Sequence, residues 1–110
     1  MEKENEVTVN DIKLIAGNTA KACFGVVGMA NTPGADGIVH LLSNNDMTKG
    51  VKVSVDTRHN LLIDLHVILE FGVRMETVAE NLTEAVKYNI EIKTGLKVRR
   101  ITVYVPSVRI

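Results

Sequence analysis

The chain has 110 residues, 45% of them hydrophobic, which is enough for one domain with a core and too short for two. Thirteen basic and thirteen acidic side chains give a formal net charge of zero, which excludes a global field toward nucleic acid or anionic lipid. A single cysteine excludes an internal disulfide bond, and the charged start MEKENEVTVN lacks the apolar centre of a signal peptide. We expect one cytoplasmic domain over residues 1–110, with a short disordered stretch at residues 1–5.

The first part of the chain predicts a short strand followed by a helix. Val7 and Val9 alternate with polar residues, and the strand would stop at Asn10, a residue type that caps helices well. Apolar residues then recur at helical spacing as far as Cys23, and Gly25 can end the helix. Further along, DGIVHLLS at residues 36–43 predicts a second, short helix.

A hairpin of two half-buried strands is predicted next. Apolar residues alternate in VKVSV, at residues 51–55, and in LLIDLHVILEF, at residues 61–71. Keeping both apolar rows on one face requires a pairing such as Val53 with Leu65. This leaves residues 58–60 as the turn, with Asn60 in the left-handed conformation.

The last third of the chain predicts a helix and a strand. Apolar residues at helical spacing run from Met75 to Lys93, and Gly95 stands where a left-handed C-cap belongs. The strand KVRRITVYV would end before Pro106, and its broken alternation at Arg99 and Arg100 predicts a bulge. The element order is therefore β-α-β-β-α-β. It indicates an α+β domain with an antiparallel or mixed sheet and helices packed on one face.

The glycines of GVVG raise the question of a phosphate-binding loop. A Walker loop needs Lys and Ser or Thr after its last glycine, and a dinucleotide loop needs G-x-G-x-x-G, and neither is present. A G-x-x-G between helices is also what a KH domain uses to clamp a nucleic-acid backbone. A KH-like binder of single-stranded RNA is therefore an alternative, with its loop at Gly25, Val26, Val27 and Gly28. The apolar valines and the lack of nearby basic residues favour a simple turn.

Five short motifs, in order, resemble the alkaline shock protein family, also called the YloU-like or envelope stress response family. The first is IAGNTAKACFGVVGMA, at residues 15–30, which is similar to the family's I-A-x-x-A-A and G-V-x-G-M signature. The others are the G-V-x-V, I-D-L-x-V, V-A-E-N and T-G-L-x-V motifs, at residues 50–53, 63–67, 78–81 and 94–98. The resemblance extends from about Glu6 to Val105. The sequence lacks the family's proline at Arg74-Met75, and its segment at residues 31–49 is individual, so a partner-specific surface cannot be carried over from the family.

The resemblance implies a small cytoplasmic protein of Gram-positive bacteria linked to envelope stress. It implies self-association into a homo-oligomer and protein partners, either a membrane-anchored relative or a dihydroxyacetone-kinase-like protein. No cofactor and no catalytic residue can be carried over from the family. We expect no nucleic-acid binding, and no direct membrane insertion, because no apolar run reaches the roughly 18 residues that a span requires.

The titratable residues give no sign of an enzyme or a metal site. His40, His59 and His66 fall in three different elements, and the single Cys23 lies on the apolar stripe of the first helix. The predicted hairpin sets Asp64 and His66 opposite Ser54 and Lys52, but side chains on an open sheet lack a cleft to exclude water. We therefore expect a protein that is not an enzyme.

Two surfaces are candidates for contact with other proteins. The sheet face away from the helices would carry Leu62, Ile68 and Tyr104 among polar residues, which is more apolar than a solvated face needs. The C-terminal part of the chain, from residue 93 onward, carries Arg99, Arg100 and other basic side chains without one acid. We expect the apolar face or this basic segment to contact a partner, although scattered apolar residues and solvated charges explain both patterns as well.

Overall fold

The computed structural model describes residues 7–31, 41–42 and 47–110. Four strands form one mixed sheet, and β3 is antiparallel to β1 and β2 and parallel to β4. The α+β class is confirmed, with the order α-β-β-β-α-β over these residues. The elements are helix α1 (Val9–Ala22), strand β1 (Val26–Met29), a 3-10 turn (Met47–Gly50), strands β2 (Val51–Val55) and β3 (Leu61–Glu70), helix α2 (Met75–Thr94) and strand β4 (Val98–Arg109).

Helix α1 begins at Val9 because Thr8 caps it. The Thr8 hydroxyl accepts a hydrogen bond from the Asp11 backbone N–H at 3.1 Å, and the Asp11 carboxylate accepts one from the Thr8 N–H at 3.0 Å. This capping box stabilises helical backbone from Val9 onward. The predicted strand through Val7 and Val9, and the cap at Asn10, are therefore wrong.

Two predictions fall partly or wholly on residues that the structure does not describe. The disordered stretch at residues 1–5 lies outside the described residues, and so does most of the helix predicted at residues 36–43. Of that helix, Leu41 and Leu42 are described and are not helical. Leu41 forms an isolated antiparallel bridge with Ala30, and the Leu42 N–H donates to the Met29 carbonyl at 2.9 Å.

Strand β3 is the centre of the sheet, and its two edges are used differently. β4 pairs along one edge over the whole length of β3. β1 and β2 divide the other edge, with β1 opposite Val67–Leu69 and β2 opposite Leu61–Leu65. The chain leaves this edge at Ala30, whose N–H donates to the His66 carbonyl at 2.8 Å, and returns at Gly50. Residues 31–49 thus start and end at neighbouring positions on one sheet edge.

The β2–β3 hairpin forms with a register two residues away from the predicted one. Val53 lies opposite Ile63 instead of Leu65, so the apolar rows still share a face. The turn keeps the predicted length of three residues but lies one position earlier, at residues 57–59, because the Asp56 N–H donates to the Asn60 carbonyl at 2.9 Å. The Asp56 carboxylate also accepts hydrogen bonds from the backbone N–H groups of Arg58 and Asn60, at 2.8 and 2.9 Å. His59, and not Asn60, takes the left-handed conformation, with φ of 66°.

Among the described residues, the core consists of aliphatic side chains together with Met29 and contains no aromatic ring. Alternate residues of β3 point into it and are at most 3% exposed, and each such side chain contributes about 1.5–3 kcal/mol of burial free energy. The helices cover the same face of the sheet with Ile12, Ala16, Ala20, Val78, Leu82, Val86 and Ile90. All four aromatic side chains are exposed instead. They are Phe24, Phe71, Tyr88 and Tyr104, at 83%, 65%, 63% and 45%.

Phe71 was expected in the inward row of β3, and that expectation is wrong. β3 ends at Glu70, and the chain then turns at Gly72, whose φ of 94° is left-handed. The turn carries the ring of Phe71 away from the core before the inward alternation would reach it. The apolar alternation in the sequence therefore extends one residue beyond the end of the strand at Glu70.

The C-terminal elements follow the predictions closely. Helix α2 ends at Thr94, and Gly95 forms the left-handed cap with φ of 75°. The bulge predicted at Arg99 and Arg100 is confirmed, because Leu61 pairs with Val98 while Leu62 pairs with Arg100. β4 does not stop before Pro106 but continues to Arg109. A second bulge, between the pairs His66–Tyr104 and Ile68–Ser107, contains Pro106, which explains how a strand accommodates proline.

Gly50 is required where the chain rejoins the sheet edge. A Cβ added there would lie 2.7 Å from the Ala30 carbonyl oxygen and 3.3 Å from that of His66. We expect Gly50→Ala to lower the free energy of unfolding by about 1–3 kcal/mol, measured by urea denaturation, because two backbones would have to move apart. The control is Gly28→Ala, whose Cβ would meet only the movable end of the Leu41 side chain. An equal loss in both variants would contradict this explanation.

Candidate interaction surface

The described residues do not assemble a metal site or a nucleophile with its base. Within residues 7–31, 41–42 and 47–110, no three His, Cys, Asp or Glu side chains are grouped so that they could hold a metal ion. His59 lies in the hairpin turn and His66 in β3, while His40 falls outside the described residues. Burial raises the pKa of the Cys23 thiol, and this side chain packs against the core.

The predicted row of Ser54, Asp64 and His66 also changes with the register. Asp64 lies opposite Lys52, and Ser54 lies opposite Leu62, so neither pairs as the predicted hairpin required. His66 is near the Gly50 carbonyl, with Nδ1 at 3.3 Å from its oxygen. The serine and histidine are therefore not neighbours across the hairpin.

The glycine segment is mainly a strand and not a loop. Val26, Val27 and Gly28 belong to β1, which pairs with β3. Only Gly25 has a left-handed backbone, with φ of 87°, and its carbonyl accepts a hydrogen bond from the Glu70 N–H at 2.9 Å. The prediction of an RNA-clamping loop is wrong, because a G-x-x-G clamp needs free backbone between two helices and this backbone is paired in a sheet.

The sheet face opposite the helices carries a stacked aromatic pair. The rings of His66 and Tyr104 have centroids 4.9 Å apart and an interplanar angle of 14°. They lie on adjacent strands, since His66 pairs with Tyr104 in the β3–β4 ladder. Tyr104 is 45% exposed and Leu62 is half-buried on the same face. Two of the three residues predicted for this face are thus partly accessible to solvent.

Ile68, the third residue, is completely buried, so the prediction that it is part of the open face is wrong. It pairs with Gly28, and the Leu41 side chain lies directly over that glycine. Leu41 therefore lies beside Ile68 on the outer face of the sheet. Because the contact comes from a residue 27 positions away, the alternation of β3 alone could not reveal it.

The two arginines predicted as contact residues have different environments. Arg99 is at the bulge and its guanidinium is 3.2 Å from the Asp56 carboxylate, which ties it to the hairpin turn. Arg100 is exposed on β4 and forms no ion pair within the described residues. Arg100 is therefore the one of the two that is available to a partner.

An exposed apolar end of the molecule escaped the sequence analysis. Phe24 and Val73 line a shallow depression together with Gly72, Thr77 and Val78. The sequence signal is the pair of Phe-Gly steps, Phe24-Gly25 and Phe71-Gly72. In the structure both glycines have a left-handed backbone and stand at turns. Such turns tend to expose the side chains that flank them.

Neither helix in the described part of the chain is long and apolar enough to cross a membrane. Within the described ranges, these features define a small α+β domain in which both helices cover one face of a four-stranded sheet.

The whole chain, residues 1–110, matches the model of the alkaline shock protein 23 family, which has a cell envelope-related function, and the chain belongs to this family. It is 33% identical over 100 residues to the uncharacterized protein YloU of Bacillus subtilis, covering 90% of this chain and 82% of that protein. It is 32% identical over 106 residues to the uncharacterized protein Spy1614 of Streptococcus pyogenes, covering 96% and 87%. No solved structure matches the chain.

The Asp56 carboxylate is predicted to make stability depend on pH. Its hydrogen bonds to the N–H groups of Asn60 and Arg58, and the Arg99 guanidinium, hold the pKa of Asp56 below its ordinary range. Because the folded pKa is lower than the unfolded one, the stabilisation is complete well above pH 4, roughly the unfolded pKa. It is lost as pH falls through the folded pKa.

We therefore expect Asp56→Asn to unfold at lower temperature than the natural protein at pH 7, and the gap to narrow below about pH 4. Thermal unfolding followed by circular dichroism measures the unfolding temperature of each protein at each pH. Asp64→Asn is the matched control, because its carboxylate accepts no backbone hydrogen bond in the described part of the chain. If the difference in unfolding temperature stayed constant down to the lowest pH, the ionised Asp56 carboxylate would not be the source of the stabilisation.

Proposed function

We propose that this protein acts without catalysis, by binding other proteins and further copies of itself in a cell envelope-related process. The observation that carries the proposal is the unequal covering of the sheet. Both helices pack on one face, while the opposite face presents Leu62 and the Tyr104 ring stacked on His66. Aromatic side chains at the centre of a surface are the residue types that most often dominate protein contacts.

The shape of this face supports binding to a protein surface more than to a small molecule. Side chains of neighbouring strands stand side by side, so they form a broad contact area without the enclosing walls of a ligand pocket. Lys52 and Asp64 face each other beside the aromatic pair and supply a polar rim. An apolar centre with a polar rim is the usual composition of a protein interface.

We propose two kinds of partner for the protein. One is a second copy of the chain, and the other is a membrane-anchored member of the family, with a dihydroxyacetone-kinase-like protein as a further candidate. In this proposal the protein is cytoplasmic and is held at the envelope by the anchored relative. The family's cell envelope-related function supports that location.

Tyr104→Glu tests the face as a partner-binding surface. We expect it to weaken binding to the cytoplasmic part of a membrane-anchored relative roughly tenfold or more, because a buried charge would replace a central aromatic ring. Binding is measured by isothermal titration with purified proteins. The control is Tyr88→Glu, since Tyr88 is also exposed but lies on helix α2. Unchanged affinity in Tyr104→Glu would rule this face out.

Self-association is tested separately by sedimentation velocity of the unmodified protein over a range of concentrations. We expect the average sedimentation coefficient to rise with concentration. A single monomeric species at every concentration would overturn the self-association part of the proposal and leave the partner-binding part to the titration.

A further inference from the structure

The outer edge of β4 is a place where another strand could be added. β4 has 12 residues, and in the described part of the chain its only strand partner is β3. A strand directs alternate backbone groups to its two sides, so about half of the peptide groups of β4 point toward this open edge. Natural proteins usually protect such an edge or use it for pairing.

Two bulges interrupt the edge of β4. One bulge lies at Arg99, and the other lies between Tyr104 and Ser107 and contains Pro106, which lacks an N–H group. Between them, Arg100–Tyr104 pairs with Leu62–His66 in unbroken register. These five residues are the longest regular stretch of the edge that an incoming strand could pair with.

We propose that two copies of this protein pair through this edge, with their β4 strands antiparallel and a twofold axis at Thr102. This inference rests on the proposed self-association and names the surface that carries it. Centring the pair on Thr102 sets Arg100 opposite Tyr104 of the second copy and Ile101 opposite Val103. In this register all five residues from Arg100 to Tyr104 are paired. The bulge at Arg99 of one copy then lies opposite the bulge that contains Pro106 of the other copy.

The side chains fit this register on both faces. On the outer face, one side of the Tyr104 ring is stacked on His66, which lies on β3, so its other side is turned toward the open edge. Arg100 is exposed and forms no ion pair within the described residues, and a guanidinium packs well on an aromatic ring. On the inner face, Ile101 and Val103 pack against the core in each copy, so the paired sheets would continue the apolar layer.

The charges of the edge also favour this register. An antiparallel pair centred on Thr102 places no arginine directly opposite another, because Arg100 and its equivalent are four positions apart along the strands. Like charges directly opposite each other would be unfavourable. The two sheets of four strands would then form one continuous sheet of eight.

Cysteine cross-linking tests the position of the twofold axis. In a Cys23→Ala background, Thr102→Cys places two thiols opposite each other, and a short thiol-reactive cross-linker should join them. The control is Lys52→Cys, which lies on the same face but on β2 and is more exposed than Thr102. We expect Thr102→Cys to form covalent dimer about 100-fold faster, because the paired thiols have a much higher effective concentration. Equal rates in both variants, or no dimer, would overturn the inference.

A second substitution tests the side-chain register. Adding Arg100→Ser to the Thr102→Cys protein should lower its cross-linking rate roughly 5- to 30-fold, since two guanidinium–ring contacts are lost per dimer. Adding Arg58→Ser, in the hairpin turn, should leave the rate unchanged. An unaffected rate in the Arg100→Ser protein would overturn the proposed register.

The outcomes separate this inference from the proposed function. If the unmodified protein sediments as a dimer while Thr102→Cys does not cross-link, the β4 edge is wrong and self-association through another surface stands. If the protein is monomeric at every concentration, both claims of self-association fail.

Discussion

The sheet depends on β3, because every other strand pairs with it. Its inward residues are at most 3% exposed, and both helices join them in one core. A strand in this position must match partners on two edges and a helical layer on one face at once. Its register against β1, β2 and β4 therefore determines which side chains meet on the outer face, including His66 and Tyr104.

The periodic elements could be predicted from the sequence, and the contacts between them could not. The bounds of α2 and its glycine cap follow from local spacing, and so does the bulge at Arg99, because each depends on neighbours along the chain. Local signals can also conflict. Val7 and Val9 alternate like a strand, but Thr8 and Asp11 form a capping box, and the hydrogen bonds of the cap decide the outcome.

The errors on the candidate surface have a common origin in distant contacts. Ile68 has the spacing of an outer-face residue, yet Leu41 lies beside it because the chain bridges back to Ala30. The GVVG segment has the spacing of a loop, yet it is held in a strand by pairing with residues about 40 positions later. Leu62 and Tyr104 were placed correctly because their positions depend only on alternation within β3 and β4.

The way in which β1 and β2 divide one edge of β3 has a consequence for divergence within the family. Ala30 and Gly50 lie next to each other, so the sheet itself closes the intervening segment. Lengthening a loop whose ends are already fixed costs little, since the closure entropy grows only with the logarithm of its length. A change in the length of residues 31–49 therefore costs little closure entropy, provided that Leu41 and Leu42 keep their contacts with Ala30 and Met29. These two contacts restrict the segment, because Leu41 lies over Gly28 beside Ile68 on the outer face of the sheet.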